Sequence, residues 1–432
     1  MKIKTPKFYK ILRKIFKKLG PGFITGAADD DPSGVATYSI AGAQFGYRLN
    51  WLSLFLIPMM FSVQEMCGRI GMTSGMGLAG VIKKFYSKKL LYFSVTLLIF
   101  ANTLNIAADL GIMAASLKMI LGLPTILWLT LITIIIILME VFISYKKYSI
   151  YLKFMSFSLL VYVITAFIVK QDWRSIALYT FVPHIEFSSV YFMTMIGFIG
   201  TTISPYLFFW QASQEVEDKI DNGKIKKFGE KSATTKKEVT ILGKDTIVGM
   251  VFSNLIAAFI LITTAATLNK SGITSIGTPQ EAAQALKPLA GNFAYLLFTI
   301  GIVGIGFQSI PVLAGSVTYA ISDTFGFKEG LSKKLKDAWP FYLVLGGATL
   351  IGALVDLIKI NPITALFYVA VINGVISVPL IAIIIKLADD KRVIGKFKSK
   401  KSYKIIAWIT FVFIGAASLF MIFNLIRPIL HI

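Results

Sequence analysis

The sequence predicts an all-α polytopic membrane protein with eleven transmembrane helices, the first and sixth of them broken. Three observations carry this. Eleven apolar stretches run along the 432 residues, and about 20 apolar residues are what an α-helix needs to cross a bilayer. Charged residues make up 15% of the chain and mean hydropathy is +0.73, whereas a soluble domain is about 25% charged. Two stretches are interrupted by a polar residue followed by proline, at Asp31-Pro32 and at Ser204-Pro205. A β-barrel does not fit, because its strands alternate and run only about 10 residues.

The spans are read at 21–46, 51–73, 91–117, 124–144, 150–169, 189–214, 246–268, 292–322, 340–358, 361–385 and 404–426. The first starts at Pro21 after Gly20, a favourable place for proline. It breaks at Asp29-Asp30-Asp31-Pro32-Ser33-Gly34 and resumes at Val35. The second carries Gln64 and Glu65; the third carries Asn102, Asn105 and Asp109. The fourth is nearly all Ile and Leu, so it belongs near lipid, and the fifth is aromatic and aliphatic. The sixth repeats the pattern of the first, with Thr201, Thr202, Ser204-Pro205, Tyr206, then Gln211 and Gln214. A Lys-rich polar segment, Asp218–Lys244, reads as a loop. Thr278-Pro279-Gln280-Glu281 reads as the capping box of an external surface helix.

The two breaks are 173 residues apart, one five-helix unit. Broken helices in matching halves are the mark of an inverted-repeat transporter, here a LeuT-type 5+5 arrangement with one added helix. The expected division is a basic cytoplasmic amino terminus (1–20), a first repeat (21–170), a second repeat (171–388) holding a cytoplasmic loop at 217–245, and a loop with the eleventh helix (389–432).

Net charge is +22, which at first suggests nucleic acid. Its distribution says otherwise. Alternate loops, starting with the amino terminus, hold 36 of the 44 Lys and Arg; the opposite set holds 8. This is the positive-inside pattern. It places the amino terminus in the cytoplasm and the carboxyl terminus outside a cell (inner or plasma) membrane. The expected partners are the lipid bilayer and a cation, with no nucleic acid. Residues 1–20 run into aspartates without a small-residue cleavage site, so they do not read as a signal peptide. The one cysteine, Cys67, reads as core, and His184 and His431 lie outside membrane depth. A His/Cys metal cluster, a bis-histidine haem and a zinc-protease motif are excluded. No nucleophile–base pair is in view, so the chain is not read as an enzyme, and no cofactor is expected.

A charged side chain at the bilayer centre costs at least about 2.5 kcal/mol, so it marks an ion path or a substrate site. Proline removes an N–H and frees nearby carbonyls, which in lipid must line a polar cavity or find another donor. Freed carbonyls beside Asp31 make an oxygen-rich pocket, the preference of a hard dication. The sixth-span break adds the Thr201 carbonyl and the Thr202 and Ser204 hydroxyls. Neither break holds Met, Cys or His, against selection of soft metals. Each residue also has a plainer role. Asp31 or Ser33 can cap the half-helix that follows. Asp29 and Asp30 can face a vestibule. Thr201 and Thr202 can pack helices. Asp109 and Glu65 can join Arg69 in an internal network. Gln211 and Gln214 can line an inner exit.

The run Gly20-Pro21-Gly22-Phe23, then Asp31-Pro32-Ser33-Gly34, then Ala41-Gly42-Ala43-Gln44-Phe45-Gly46-Tyr47 resembles the first helix of NRAMP metal-ion transporters. The resemblance extends along nearly the whole chain and implies a metal site. The family's metal-binding aspartate falls on Asp31, its asparagine ligand on Gly34 and its alanine carbonyl on Thr201. The methionine and histidine of its sixth helix fall on Ser204 and Tyr206. Its third-helix Asp-Leu-Ala-Glu, which serves proton transfer, reads Asp109-Leu110-Gly111-Ile112 here, without the glutamate. This pattern is similar to the NRAMP-related magnesium transporter branch. It implies transport of largely hydrated Mg²⁺, and also Mn²⁺, by alternating access without proton coupling. Loss of the thioether favours a hard ion, and Gly34 is expected to widen the cavity. The alternatives are a proton-coupled Mn²⁺/Fe²⁺ transporter of ordinary NRAMP type and an amino-acid transporter on the same fold.

Overall fold

The computed structural model describes residues 20–143, 156–231, 233–358 and 360–427. The basic amino terminus up to residue 19 and the first residues of the fifth span lie outside them. The described residues are helical, with no strand among them. The first span is two helices, α1 (Pro21–Asp29) and α2 (Pro32–Phe45). The second is α3 (Trp51–Ser74), followed by the short α4 (Leu78–Phe85). Next come α5 (Lys88–Leu121), α6 (Thr125–Phe142), α7 (Leu160–Ile168) and α8 (Trp173–Phe181). The sixth span is again two helices, α9 (Ser189–Thr202) and α10 (Pro205–Asp221). Then follow α11 (Lys236–Thr267), the short α12 (Pro279–Ala283) and α13 (Lys287–Ala290), α14 (Ala294–Phe325), α15 (Trp339–Asp356), α16 (Pro362–Leu387), the short α17 (Lys391–Ile394) and α18 (Lys401–Ile426).

Nine segments among the described residues are long and apolar enough to cross a membrane. The first span is not one of them, because its break leaves two short halves; the fifth is described only from residue 156 and is likewise shorter. The Lys-rich segment corrects one expectation. Its described residues are non-helical only over 222–231 and 233–235, a narrower stretch than the expected 217–245. Helix α10 runs on to Asp221 and α11 begins at Lys236, started by a capping box in which Thr235 and Glu238 exchange hydrogen bonds. The capping box of Thr278 and Glu281 forms as its spacing predicts.

Layering follows hydropathy. Helix α6 turns Ile126, Leu127, Leu131, Ile134, Ile135 and Leu138 outward, as its near-pure aliphatic sequence predicts. Helix α10, by contrast, is buried along almost its whole length. The broken spans therefore sit at the centre, and the unbroken apolar helices α6, α15 and α18 lie at the rim. Helix α11 packs along both α1 and α2, α9 packs against α16, and α5 against α14. Glycines make these contacts close. A Cβ added at Gly26 would stand 2.3 Å from the Gly249 carbonyl carbon, and one at Gly200 would stand 2.0 Å from the Ala370 oxygen. The start of α1 is tied down separately: Asp245 accepts from Gly20 and Gly22 N–H at 2.8 Å each.

Candidate metal centre at the two helix breaks

Each proline orphans the carbonyl four residues before it, since that carbonyl's helical donor is missing. At Pro32 the orphan is Ala28; at Pro205 it is Thr201. Both find replacement donors. The Tyr206 hydroxyl donates to the Ala28 carbonyl at 2.8 Å. The Ser204 hydroxyl donates to the Gly200 carbonyl at 2.6 Å and to the Thr201 carbonyl at 3.1 Å. Tyr206, at the first turn of α10, thus reaches across to the first break.

The two breaks meet. The Ser33 and Thr201 hydroxyls are 3.2 Å apart, and the Tyr38 hydroxyl is 3.0 Å from that of Thr202. Asp31 is the N-cap of α2 and accepts from Gly34 N–H at 2.8 Å. The same oxygen accepts from Ser33 Oγ at 2.6 Å. Its other oxygen accepts from Asn105 Nδ2 at 2.9 Å and faces the Tyr206 hydroxyl at 3.5 Å. Capping and facing the centre are therefore compatible roles for one carboxylate. Among the described residues no ion pair involves Asp31. Its donors are neutral groups.

Asp29 and Asp30 share a single donor, Ser253 of α11. Asp29 Oδ1 and Asp30 Oδ2 are buried without a hydrogen-bond partner. The three carboxylates are 0%, 1% and 2% exposed. Buried carboxylates short of donors and without a basic partner make a strongly cation-attracting centre. At such exposure Asp31 is shut off from bulk solvent, so ion entry requires helix ends to part. The Tyr206–Ala28 bond, which links α10 to α1, is one of the contacts spanning the two breaks. Replacing Tyr206 with Phe leaves the Ala28 carbonyl without a donor, an expected cost of about 1–3 kcal/mol. Thermal unfolding in detergent measures it: a lower midpoint is expected, and an unchanged one removes the bond from the account.

Other sequence expectations divide. The space at Gly34 is not a widened cavity here. An added Cβ would meet Tyr38 Cε2 at 3.2 Å and Thr201 Oγ1 at 3.3 Å, so the glycine lets the two broken spans close together. Glu65 is ion-paired with Arg69, which also donates to the Phe397 carbonyl at 3.1 Å; it forms an internal network, not a contact of the breaks. Gln211 donates to Glu215 at 2.9 Å, lower on α10. Asp109 lies on the same face of α5 as Asn105, one turn on, and accepts from Ser309 at 3.0 Å; its Oδ1 has no partner. Thr202 donates to the Phe198 carbonyl at 2.9 Å and packs with Tyr38.

Asn105, Asn373, Ser253 and Ser309 were not singled out as site residues from sequence. Asn373 reaches Asn105 Oδ1 at 3.4 Å. A signal existed for Asn105: it precedes Asp109 by four residues, the spacing that puts two side chains on one helix face.

The fold has known relatives. The chain is 25% identical over 437 residues to the divalent metal cation transporter MntH of Listeria welshimeri, an alignment covering 98% of this chain and 93% of that one. A manganese transporter of Eremococcus coleocola, solved in complex with an aromatic bis-isothiourea substituted compound, superposes with a TM-score of 0.72 at 16% identity, covering 97% of this chain and 88% of that one. Mhp1, a nucleobase-cation-symport-1 family transporter in a closed conformation, superposes with a TM-score of 0.58 at 11% identity, covering 94% and 91%. These two likenesses show the fold, a polytopic arrangement of LeuT type. The profile of the family described as natural resistance-associated macrophage protein-like matches residues 22–424, and the chain belongs to that family, Nramp.

Proposed function

We propose that the chain carries divalent metal cations inward across the cell membrane by alternating access, with largely hydrated Mg²⁺ as preferred substrate and Mn²⁺ also accepted. The observation that carries this reading is the centre around Asp31: carboxylate, hydroxyl and carbonyl groups from two helix breaks and the Asn105 amide of α5, with no sulfur or imidazole among its contacts. Asp31 is the main electrostatic ligand, supported by the Thr201 carbonyl and the Ser204 hydroxyl, with Gly34 letting the two breaks approach. Asp29 and Asp30 draw the cation in. Among the described residues no three Asp, Glu, His or Cys side chains form a metal-holding group. That suits an ion that keeps most of its water and uses one or two carboxylates. The amino terminus is cytoplasmic and the carboxyl terminus external, following the Lys and Arg distribution.

Inward movement needs no proton. Two charges moving down the membrane potential gain roughly 4–5 kcal/mol per 100 mV. The solved manganese transporters favour Mn²⁺ as substrate; the second reading is proton-coupled Mn²⁺ uptake. Proteoliposomes decide between them. With Mg²⁺ or Mn²⁺ outside and a pH dye inside, uptake of both ions at constant internal pH is expected; acidification that tracks Mn²⁺ entry supports the rival. Ser204→Met places a thioether beside the Thr201 carbonyl. Soft ligands favour softer metals, so preference is expected to move toward Mn²⁺ or Cd²⁺. Unchanged relative uptake rates would remove sulfur from the selectivity argument.

A further inference from the structure

The two oxygens of Asp31 are held in different ways. Oδ1 belongs to the helix cap, taking both the Ser33 hydroxyl and the Gly34 N–H. Oδ2 is the oxygen left for an ion. Its one close donor is Asn105 Nδ2 of α5 at 2.9 Å, with the Tyr206 hydroxyl farther off at 3.5 Å. Asn105 is itself held from its other side. Asn373 of α16 donates through Nδ2 to Asn105 Oδ1 at 3.4 Å. Both asparagines are buried. A chain of two amides therefore runs from α16 through α5 to the carboxylate at the start of α2.

An amide has a donor side and an acceptor side. Beside an empty carboxylate, which only accepts, Asn105 must present its NH₂ group, and its oxygen then faces Asn373. A cation at Oδ2 reverses that demand. The NH₂ hydrogens carry partial positive charge and repel it, whereas the amide oxygen attracts it or accepts a hydrogen bond from its water. Turning the amide over satisfies the ion but sets the Asn105 and Asn373 NH₂ groups against each other. The turned position is therefore closed to Asn105 while Asn373 stays in place. The Asn373 bond is also the weak one of the chain, longer than the usual span of about 2.7–3.2 Å. It comes from a helix that can yield. Pro379 lies inside α16 and takes away the helical donor of the Val375 carbonyl, two residues past Asn373. The next residue, Gly374, packs on Gly200 near the end of α9, so a shift of α16 here also reaches the second break.

We infer that Asn105 is a two-position amide, holding Asp31 Oδ2 while the centre is empty and turning its oxygen to the hydrated dication when one arrives, and that Asn373 is the positioning residue that keeps it in the first position. Ion binding then releases α16, and displacement of α16 readies the centre for an ion, because coupling between two sites is reciprocal. The inference deepens the proposed function and rests on Asp31 as the ligand of the cation.

Mn²⁺ affinity of the full chain in nanodiscs, followed by electron paramagnetic resonance, tests it. Asn373→Leu removes the donor that holds Asn105. It is expected to tighten Mn²⁺ binding at least about twofold, the equivalent of one weak neutral hydrogen bond, and to lower KM for uptake. Loss of packing alone would weaken binding, so tightening is the signature of the switch. Asn105→Leu is expected to weaken binding, and adding Asn373→Leu to it is expected to change nothing further, since Asn373 acts only through Asn105. If Asn373→Leu does not give monodisperse protein, Asn373→Ala is measured in its place, with the same tightening expected. Binding that is unchanged or weakened in the Asn373 variant, or a double variant whose affinity differs from that of Asn105→Leu, overturns the proposal. Asp31→Asn separates the two ways of failing. Wild-type binding that Asp31→Asn leaves intact overturns the ligand assignment and the switch with it. Binding that Asp31→Asn abolishes but the Asn373 variant does not tighten overturns the switch alone.

Discussion

Asp31→Ala is expected to reduce cation uptake in proteoliposomes to the level of empty vesicles. The physical reason is twofold, and the two parts separate experimentally. Asp31 caps α2 through Gly34 N–H, and replacing a capping carboxylate by alanine costs about 0.5–2 kcal/mol of stability. Asparagine caps as well as aspartate, so Asp31→Asn keeps the Gly34 and Ser33 contacts while removing the charge and the bond from Asn105. If Asp31 is the electrostatic ligand, both variants lose uptake, and Asp31→Asn, which keeps the cap, loses less thermal stability than Asp31→Ala. Uptake that persists in Asp31→Asn would assign Asp31 to capping alone. Asp29 and Asp30 are not expected to rescue either variant, because their carboxylates are held by Ser253 of α11 and not by the donors around Asp31.

Gly200→Val is expected to have the largest effect on folding. Helix α9 reaches its break while packed on α16 at Gly374, and even a Cβ at Gly200 would sit 2.0 Å from the Ala370 oxygen and 2.3 Å from the Gly374 nitrogen. Both are backbone atoms and cannot swing aside. Overpacking a well-filled interior typically costs 1–3 kcal/mol, occasionally more, and displacement of α9 would carry Thr201 and Thr202 away from Ser33 and Tyr38. Yield of monodisperse protein and thermal midpoint report this. A variant as stable as the wild type, with normal uptake, would show that α9 and α16 can separate at no cost.

Much of this was legible in the sequence, for identifiable reasons. Span positions follow from apolar run length, which the bilayer enforces. The breaks follow from proline chemistry, which is local: Pro32 and Pro205 determine which carbonyls lose their donors wherever the helices lie. What takes the place of those donors is not local. Tyr206 reaches Ala28 across 178 residues and Ser253 reaches Asp29 across 224; periodicity in one chain carries no information about such pairings. The effect of Gly34 is hidden for the same reason, since Thr201, which closes on it beside Tyr38 of the same helix, arrives from α9. The limits of the Lys-rich loop were a different kind of error. Polar helix ends resemble loop by composition, although the spacing of Thr235 and Glu238 marked where α11 begins.

Competition between cations tests the central claim most directly: that Asp31, in a polar pocket without sulfur or imidazole, holds a hard ion with most of its water. Mn²⁺ entry into proteoliposomes is measured while Mg²⁺ outside is raised. The account predicts that Mg²⁺ suppresses Mn²⁺ entry and itself accumulates inside. Mn²⁺ entry that is indifferent to a large molar excess of Mg²⁺, with no internal Mg²⁺ signal, would contradict it.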